Sequence, residues 1–332
     1  MWLETDPQLE EKVLSRVGVL SSRRLGGGLV NSVYYVQLRN GTSGVLRISD
    51  NQKESWIPRK ERVILSYFQE LHFFPKVISY GEINDLGVSF NLLSYFEADN
   101  MAVVLGKLSD KVFFDSGVVL GEIHSHTGTK FGFVYDFETI GADPRVNNSY
   151  PGPYKNGFEQ HFIPAKGWVE HLVSKGSRFS EELERIITKM ENQEGVFERG
   201  ECTYNHGDYC FKNILTYPDR LIGIVDFDSF RFGDPASDIH HFLQNCTDDN
   251  VSRDSVIAFI NGYTKVRPLP SGFYEKSRFY RCYQGVQKVI SIPLRYRNRS
   301  SLVIERDKKK IGSFLQSLVD ESDPCMNFKI FS

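Results

Sequence analysis

Apolar and polar positions alternate with a strand-like period through most of the first hundred residues. Residues 16–25 and 32–38 alternate or cluster β-formers, with Val33, Tyr34, Tyr35 and Val36 in a row, and predict two strands. Gly26-Gly27-Gly28 lies between them and marks a turn. A second turn signal, Asn40-Gly41-Thr42-Ser43-Gly44, precedes residues 45–48, so the three segments predict an antiparallel meander. Pro58 then opens a run in which Val63, Ile64, Tyr67, Phe68 and Leu71 recur at helical spacing. Proline suits a first helical turn, where its fixed φ helps and its missing N–H costs nothing. Strand character returns over residues 77–83 and 88–96.

Beyond residue 97 the period changes. Residues 112–124 and 181–190 predict helices, the second with Ser180 as N-cap and Glu181 and Glu182 in its first turn. Residues 136–157, rich in Gly, Pro, Asn and Asp, predict a long loop. Short strands are expected at 214–216 and 221–227, and helices from Asp238 nearly to the end. The pattern predicts an α+β fold of two lobes. Residues 1–96 form a small β-rich N-lobe with one key helix, and residues 97–332 a larger, mainly helical C-lobe.

Composition narrows the function classes. With 332 residues, 40% hydrophobic and 25% charged, the chain is an ordinary globular protein, long enough to split into two cores. A formal net charge of −2 gives no general attraction to nucleic acid or membrane. The first ten residues hold Glu4, Asp6 and Glu10 and no basic residue, the wrong sign for a signal peptide, and no apolar run is long enough for a membrane span. The five cysteines are odd in number and widely spaced, which argues for reduced thiols in a cytoplasm rather than disulfides or a zinc site. His206 and Cys210 stand four apart, but their neighbourhood in sequence supplies no further ligands.

The chemistry concentrates in the run HGDYCFKNIL, which holds His206, Gly207, Asp208 and Asn213. Phosphoryl transfer needs a carboxylate that orients the attacking hydroxyl and accepts its proton, and oxygen ligands that hold Mg²⁺ against the phosphates. Kinase catalytic loops supply both as H-R-D-x-x-x-x-N, and this run keeps the Asp-to-Asn spacing with Gly207 in place of the arginine. Thirteen residues beyond Asn213, Asp226 follows the apolar run 221–225, where a carboxylate at a strand end can bind a divalent cation. Gly233-Asp234-Pro235 and Asp238-Ile239 come next, read as a turn and a helix N-cap at Asp238.

Together HGDYCFKNIL and VDFDSFRFGDPASDI resemble the signature of the aminoglycoside phosphotransferase family, which includes choline-kinase-like and other antibiotic and metabolite kinases with a protein-kinase-like fold. The N-lobe adds to the likeness, which spans roughly residues 20 to 245: LGGGLVNSVY resembles the family's phosphate-covering turn, Val45-Leu46-Arg47 its strand bearing the phosphate-contacting base, and Arg59-Lys60-Glu61 the start of its partner-glutamate helix. The resemblance implies an ATP- or GTP-dependent, Mg²⁺-assisted O-phosphotransferase acting on a hydroxylated small molecule. Asp208 would be the catalytic base, and Asn213 and Asp226 the Mg²⁺ ligands. Arg47 would contact the α- and β-phosphates, steadied by Glu61. Gly26, Gly27, Gly28, Asn31 and Ser32 would cover the phosphates, and backbone groups of Ser94 and Phe96 would hold the adenine edge. Asp228 would be an auxiliary.

The glycine turn is not G-x-G-x-x-G, and Arg47 stands where protein kinases have lysine, so charge is kept while geometry changes. The competing reading is a catalytically silent nucleotide-binding or scaffolding protein on the same fold, against which the complete set of Asp208, Asn213 and Asp226 counts. Residues 251–310 carry 14 Lys and Arg against 4 Asp and Glu. No nucleic-acid-binding motif accompanies that stretch, so nucleic acid is not expected as a partner. The same excess argues that the acceptor is less cationic than an aminoglycoside.

Overall fold

The computed structural model describes residues 7–27, 31–50, 56–128, 131–133, 154–292 and 301–322. The chain divides into two compact units. Residues up to Leu108 and the segment Lys212–Asp228 belong to the first, and most of the remainder to the second.

The first unit is built on a five-stranded antiparallel sheet of order β1-β2-β3-β5-β4. Its strands are β1 (Val19–Gly27), β2 (Asn31–Leu38), β3 (Ser43–Asp50), β4 (Val77–Ile83) and β5 (Val88–Leu93). The predicted meander forms, with Gly26 opposite Val33 and Tyr35 opposite Val45. One face of the alternation is apolar, and Tyr34, Val36, Leu46, Ile48, Val88 and Leu92 close over a buried core. Helix α1 (Pro7–Val17) adds Val13 to that core. The strand pattern does not announce this helix, because its apolar stripe, Leu9, Val13, Leu14 and Val17, merges into the strand residues that follow. Helix α2 (Trp56–Tyr67) has Pro58 in its first turn, as the sequence predicts.

The same unit contains a small sheet of order β10-β9-β6, made by β6 (Asp99–Asn100), β9 (Ile214–Tyr217) and β10 (Arg220–Ile224). Helix α3 (Met101–Val104) follows β6, and Asn100 caps it by accepting from Val103 N at 3.2 Å. The β9–β10 hairpin is tied to the segment after β5, since Asp99 pairs with Thr216 and the Tyr217 hydroxyl donates to Glu97 O at 2.7 Å.

The second unit is mainly helical: α4 (Asp110–His124), α5 (Gly157–Ser174), α6 (Ser180–Glu191), α7 (Ala236–Asp248), α8 (Arg253–Val266), α9 (Phe273–Ile290) and α10 (Ser301–Val319). Its strands are β7 (Gly132–Phe133), β8 (Thr203–Asn205) and β11 (Arg231–Gly233), in the order β7-β11-β8. Ser180 is the first residue of α6 and not its cap, which is Phe179. Most of the predicted loop 136–157 lies outside the described residues. Helices α4 and α8 cross with almost no space between backbones. A Cβ at Gly117 would lie 2.0 Å from Phe259 O, and one at Gly262 2.0 Å from Phe114 O. Aromatic rings fill the surrounding core, with Phe242 and Phe259 stacked at 3.9 Å between centroids.

Candidate active site

In the first unit the site is organised around Arg47. Its strand partner on β5 is Asn91, and Asn91 Nδ2 donates to Glu61 Oε2 at 2.8 Å and to Pro58 O at 3.0 Å. Asn91 therefore fixes the start of α2 and the free oxygen of Glu61 together. The other Glu61 oxygen accepts from Arg47 Nη1. Arg47 Nη2 donates to both oxygens of Asp228, at 2.8 and 2.9 Å, and stands 3.9 Å from Asp226 Oδ1. Burial alone would lower the basicity of Arg47, but Asp228, Glu61 and Asp226 outweigh it and hold the guanidinium charged. Burial pushes the Glu61 carboxyl up, against the pull of Arg47. Lys60, fully buried, donates from Nζ to the carbonyl of Asp228.

The β9–β10 hairpin brings Asn213 opposite Val225, the residue before Asp226. Ile214 pairs with Ile224, and beyond that pair Val225 N donates to Asn213 O at 2.9 Å. Asn213 is buried, whereas the Asp226 side chain is 43% exposed. Asp226 adopts φ 70°, a left-handed conformation rare for a residue with a side chain. Both residues offer hard oxygen, the donor type that magnesium takes, and three carboxylates around one guanidinium leave local negative charge that a divalent cation would offset. The donor set therefore fits Mg²⁺.

The remaining expected nucleotide contacts are also in this unit. Gly26 and Gly27 end β1, with Gly27 opposite Ser32, and Asn31 opens β2, whereas Gly28 lies outside the described residues. Ser32 is buried and its hydroxyl donates to Glu10 of α1, as does that of Tyr34. Ser94 N donates to Lys76 O at 2.8 Å, and Phe96 O accepts from Ala98 N at 3.0 Å.

Asp208 belongs to the second unit, in the loop after β8. Two backbone amides of that loop are held by one carboxylate: Asp238 Oδ2 accepts from His206 N at 2.7 Å, and Oδ1 from Gly207 N at 2.9 Å. The expected cap role for Asp238 is not found. Helix α7 begins at Ala236, and it is Asp234 Oδ1 that accepts from Ala236 N, at 2.8 Å. Asp238 is buried on the first turn because its work is to brace the loop. Burial would raise its carboxyl, but the hydrogen bond and charge of His124, with His206 and Arg231, hold it below the ordinary range. His124 uses both ring nitrogens, on Asp238 at 3.3 Å and on the Tyr263 hydroxyl at 3.1 Å. Gly207 has φ 80°, and a Cβ there would lie 2.1 Å from Ser229 O. His206 Nδ1 accepts from Asp208 N at 3.3 Å. The Asp208 carboxylate stands 3.5 Å from Cys210 Sγ and 3.7 Å from His241 Nδ1.

Four supporting residues escape a reading of the sequence: Lys60, Asn91, Asp238 in its bracing role, and His241. A polar residue in the middle of an otherwise apolar strand, as Asn91 is in VSFNLL, was the one available signal.

No curated protein matches the chain in sequence. Solved structures do resemble it in fold. An amicoumacin kinase, hAmiN, in complex with AMP-PNP, Ca²⁺ and Ami has a TM-score of 0.69 at 14% identity, covering 98% of this chain and 96% of its own. A thermostable mutant of aminoglycoside phosphotransferase APH(4)-Ia, in ternary complex with AMP-PNP and hygromycin B, gives 0.68 at 13%, covering 96% and 100%. The gentamicin–APH(2″)-IIa complex gives 0.65 at 16%, covering 98% and 100%. At these identities the likeness speaks for the fold, which is that of the aminoglycoside phosphotransferases. The sequence model of the phosphotransferase enzyme family matches residues 21–269, well over half of the chain, and on that match the chain belongs to the phosphotransferase enzyme family.

Proposed function

We propose that the chain transfers the γ-phosphoryl group of a nucleoside triphosphate, ATP or GTP, to a hydroxyl of a small molecule with the help of Mg²⁺. The observation that carries this reading is the Arg47 network, which joins β3, the start of α2 and the turn after β10 through Glu61, Asp226 and Asp228. A site for anionic phosphates and a cation has use for both signs of charge.

In this reading Arg47 binds the α- and β-phosphates, with Glu61 and Asn91 keeping its fork in place. Asn213 and Asp226 hold Mg²⁺, which neutralises charge on the phosphate oxygens. The Ser94 carbonyl and the Phe96 N–H hold the adenine edge, since Ser94 N and Phe96 O are engaged within the chain. Asp208 orients the acceptor hydroxyl and takes its proton. Its loop is fixed beforehand by Asp238, so little reorganisation accompanies the reaction. The structures similar in fold were solved with AMP-PNP and with antibiotics, which supports a nucleotide and a hydroxylated small molecule as ligands here.

The test is a phosphate-transfer screen with MgATP and MgGTP over antibiotics, sugars, amino alcohols and nucleosides, with Asp208→Ala as control. Transfer to one acceptor class that is lost in the variant is the expected result. Nucleotide binding without any transfer favours a silent nucleotide-binding protein instead.

A further inference from the structure

The sequence offers no zinc motif, yet the second unit assembles one in space. Asp208 and Cys210 come from the loop after β8, and His241, some thirty residues on, comes from α7. Among the described residues these three are the group of His, Cys, Asp and Glu whose ligand atoms converge, all lying within 4.8 Å of one another. The individual separations are chemically informative. A tetrahedral zinc with a Zn–S bond of about 2.3 Å and Zn–O and Zn–N bonds of about 2.0 Å sets sulfur and oxygen ligands roughly 3.5 Å apart, and oxygen and nitrogen ligands roughly 3.3 Å apart. Cys210 Sγ lies 3.5 Å from Asp208 Oδ1, and His241 Nδ1 lies 3.7 Å from the same oxygen.

We infer that Asp208, Cys210 and His241 form a binding site for Zn²⁺ or a similar borderline divalent ion, distinct in chemistry from the hard-oxygen pair Asn213 and Asp226. Thiolate with imidazole selects zinc over magnesium. The Asp208 and His241 side chains are 23% and 29% exposed, which leaves two of the three groups open to solvent, while Cys210 is buried. Binding displaces the thiol proton, which is released to solvent, and leaves one tetrahedral position for water. The consequence for activity rests on the function proposed above. Zinc on the Asp208 carboxylate lowers its basicity toward the hydroxyl proton, so trace zinc inhibits an enzyme that needs magnesium.

Binding and inhibition are tested separately on the full chain. Zn²⁺ is titrated against a chromogenic chelator, and Co²⁺ is added as a spectroscopic probe. One ion per chain is expected, with a cobalt–thiolate charge-transfer band. Cys210→Ser should abolish that band, and His241→Gln should weaken zinc binding at least tenfold. His241 is partly exposed, so its variant should unfold at the wild-type temperature, which separates loss of the ion from loss of the fold. Absence of stoichiometric binding, or binding equal in wild type and both variants, overturns the site. In turnover assays at saturating Mg²⁺, added Zn²⁺ should inhibit wild type and inhibit His241→Gln at least tenfold less potently. Zinc that binds as described without slowing turnover upholds the site and overturns Asp208 as the base.

Discussion

Asp208→Ala tests the proposed base most directly. Transfer should fall at least 100-fold, since base catalysis is worth roughly 10²- to 10⁴-fold, while nucleotide affinity changes little. A folded variant retaining a tenth of wild-type kcat removes the residue from the mechanism. At Arg47 charge and geometry separate. Arg47→Lys should keep partial activity, whereas Arg47→Ala should lose most of it together with nucleotide affinity. Equal activity in wild type and Arg47→Ala would place the arginine outside the reaction. Gly207 is constrained by backbone alone, so Gly207→Ala should cost at least about 2 kcal/mol in urea unfolding from the left-handed φ and the collision with Ser229 O. At this scale the sequence was informative where a short motif carries the proposal, as with Asp208, Asn213 and Asp226. It was silent on Asp238 and Lys60, whose partners lie far along the chain and meet them only through the fold.

Helices α4 and α8 illustrate how elements position a buried side chain. Their close crossing sets Tyr263 of α8 against His124 of α4, and His124 in turn faces Asp238. Gly262→Ala should push the helices apart at Phe114 O. The expected outcome is a loss of roughly 1–3 kcal/mol of stability, the cost of overpacking, with turnover falling at temperatures where the variant remains folded. A stability within a few tenths of wild type contradicts the tightness of the crossing. The elements themselves were largely legible, because strand alternation and helical spacing are local. Helix α1 was not, since its apolar stripe runs without a break into β1. The sequence misplaces the start of α7, because an acidic residue before an apolar run looks like a cap, and only the fold reveals that Asp238 faces the loop that carries Asp208.

For the whole molecule, buried histidines contribute to the response to acid. Burial pushes His161, near Arg231 and Asp238, and His240, near Arg281 and His241, each down to about 3. Both are neutral in the folded chain, whereas the unfolded chain protonates them below pH 6.5. Their contribution is therefore complete above about pH 6.5 and is lost as pH falls toward 3. Between pH 7.5 and 5.5 each should cost on the order of 1 kcal/mol of stability. Urea midpoints at the two pH values should differ by less in His161→Gln and His240→Gln; identical shifts in variants and wild type would contradict this origin. Charge also bears on the acceptor. Asp234 is paired with Lys276 at 2.6 Å, Asp238 is spent on the loop, and Asp248 faces Arg281 at 3.7 Å. Polycationic aminoglycosides should accordingly show lower kcat/KM than neutral or anionic alcohols, and a clear preference for kanamycin-like acceptors would refute that. The composition gave the excess of basic residues but not their pairing, which depends on contacts between distant helices. Similarly, nothing in the sequence sets Lys212–Asp228 apart from its neighbours, though the first compact unit takes it in.

The β9–β10 hairpin has a consequence for how this chain can change over time. Asn213 and Asp226 stand at its open end, next to the Val225 N to Asn213 O bond, while its closed end is the exposed turn at Pro218 and Asp219. Residues inserted or deleted at that tip are absorbed by solvent and leave the pairing of Ile214 with Ile224 untouched. The interval between Asn213 and Asp226 in sequence is thus free to drift in length among descendants, while their neighbourhood in space is inherited intact. The same tip is a place to splice in a reporter peptide without disturbing Asn213 or Asp226.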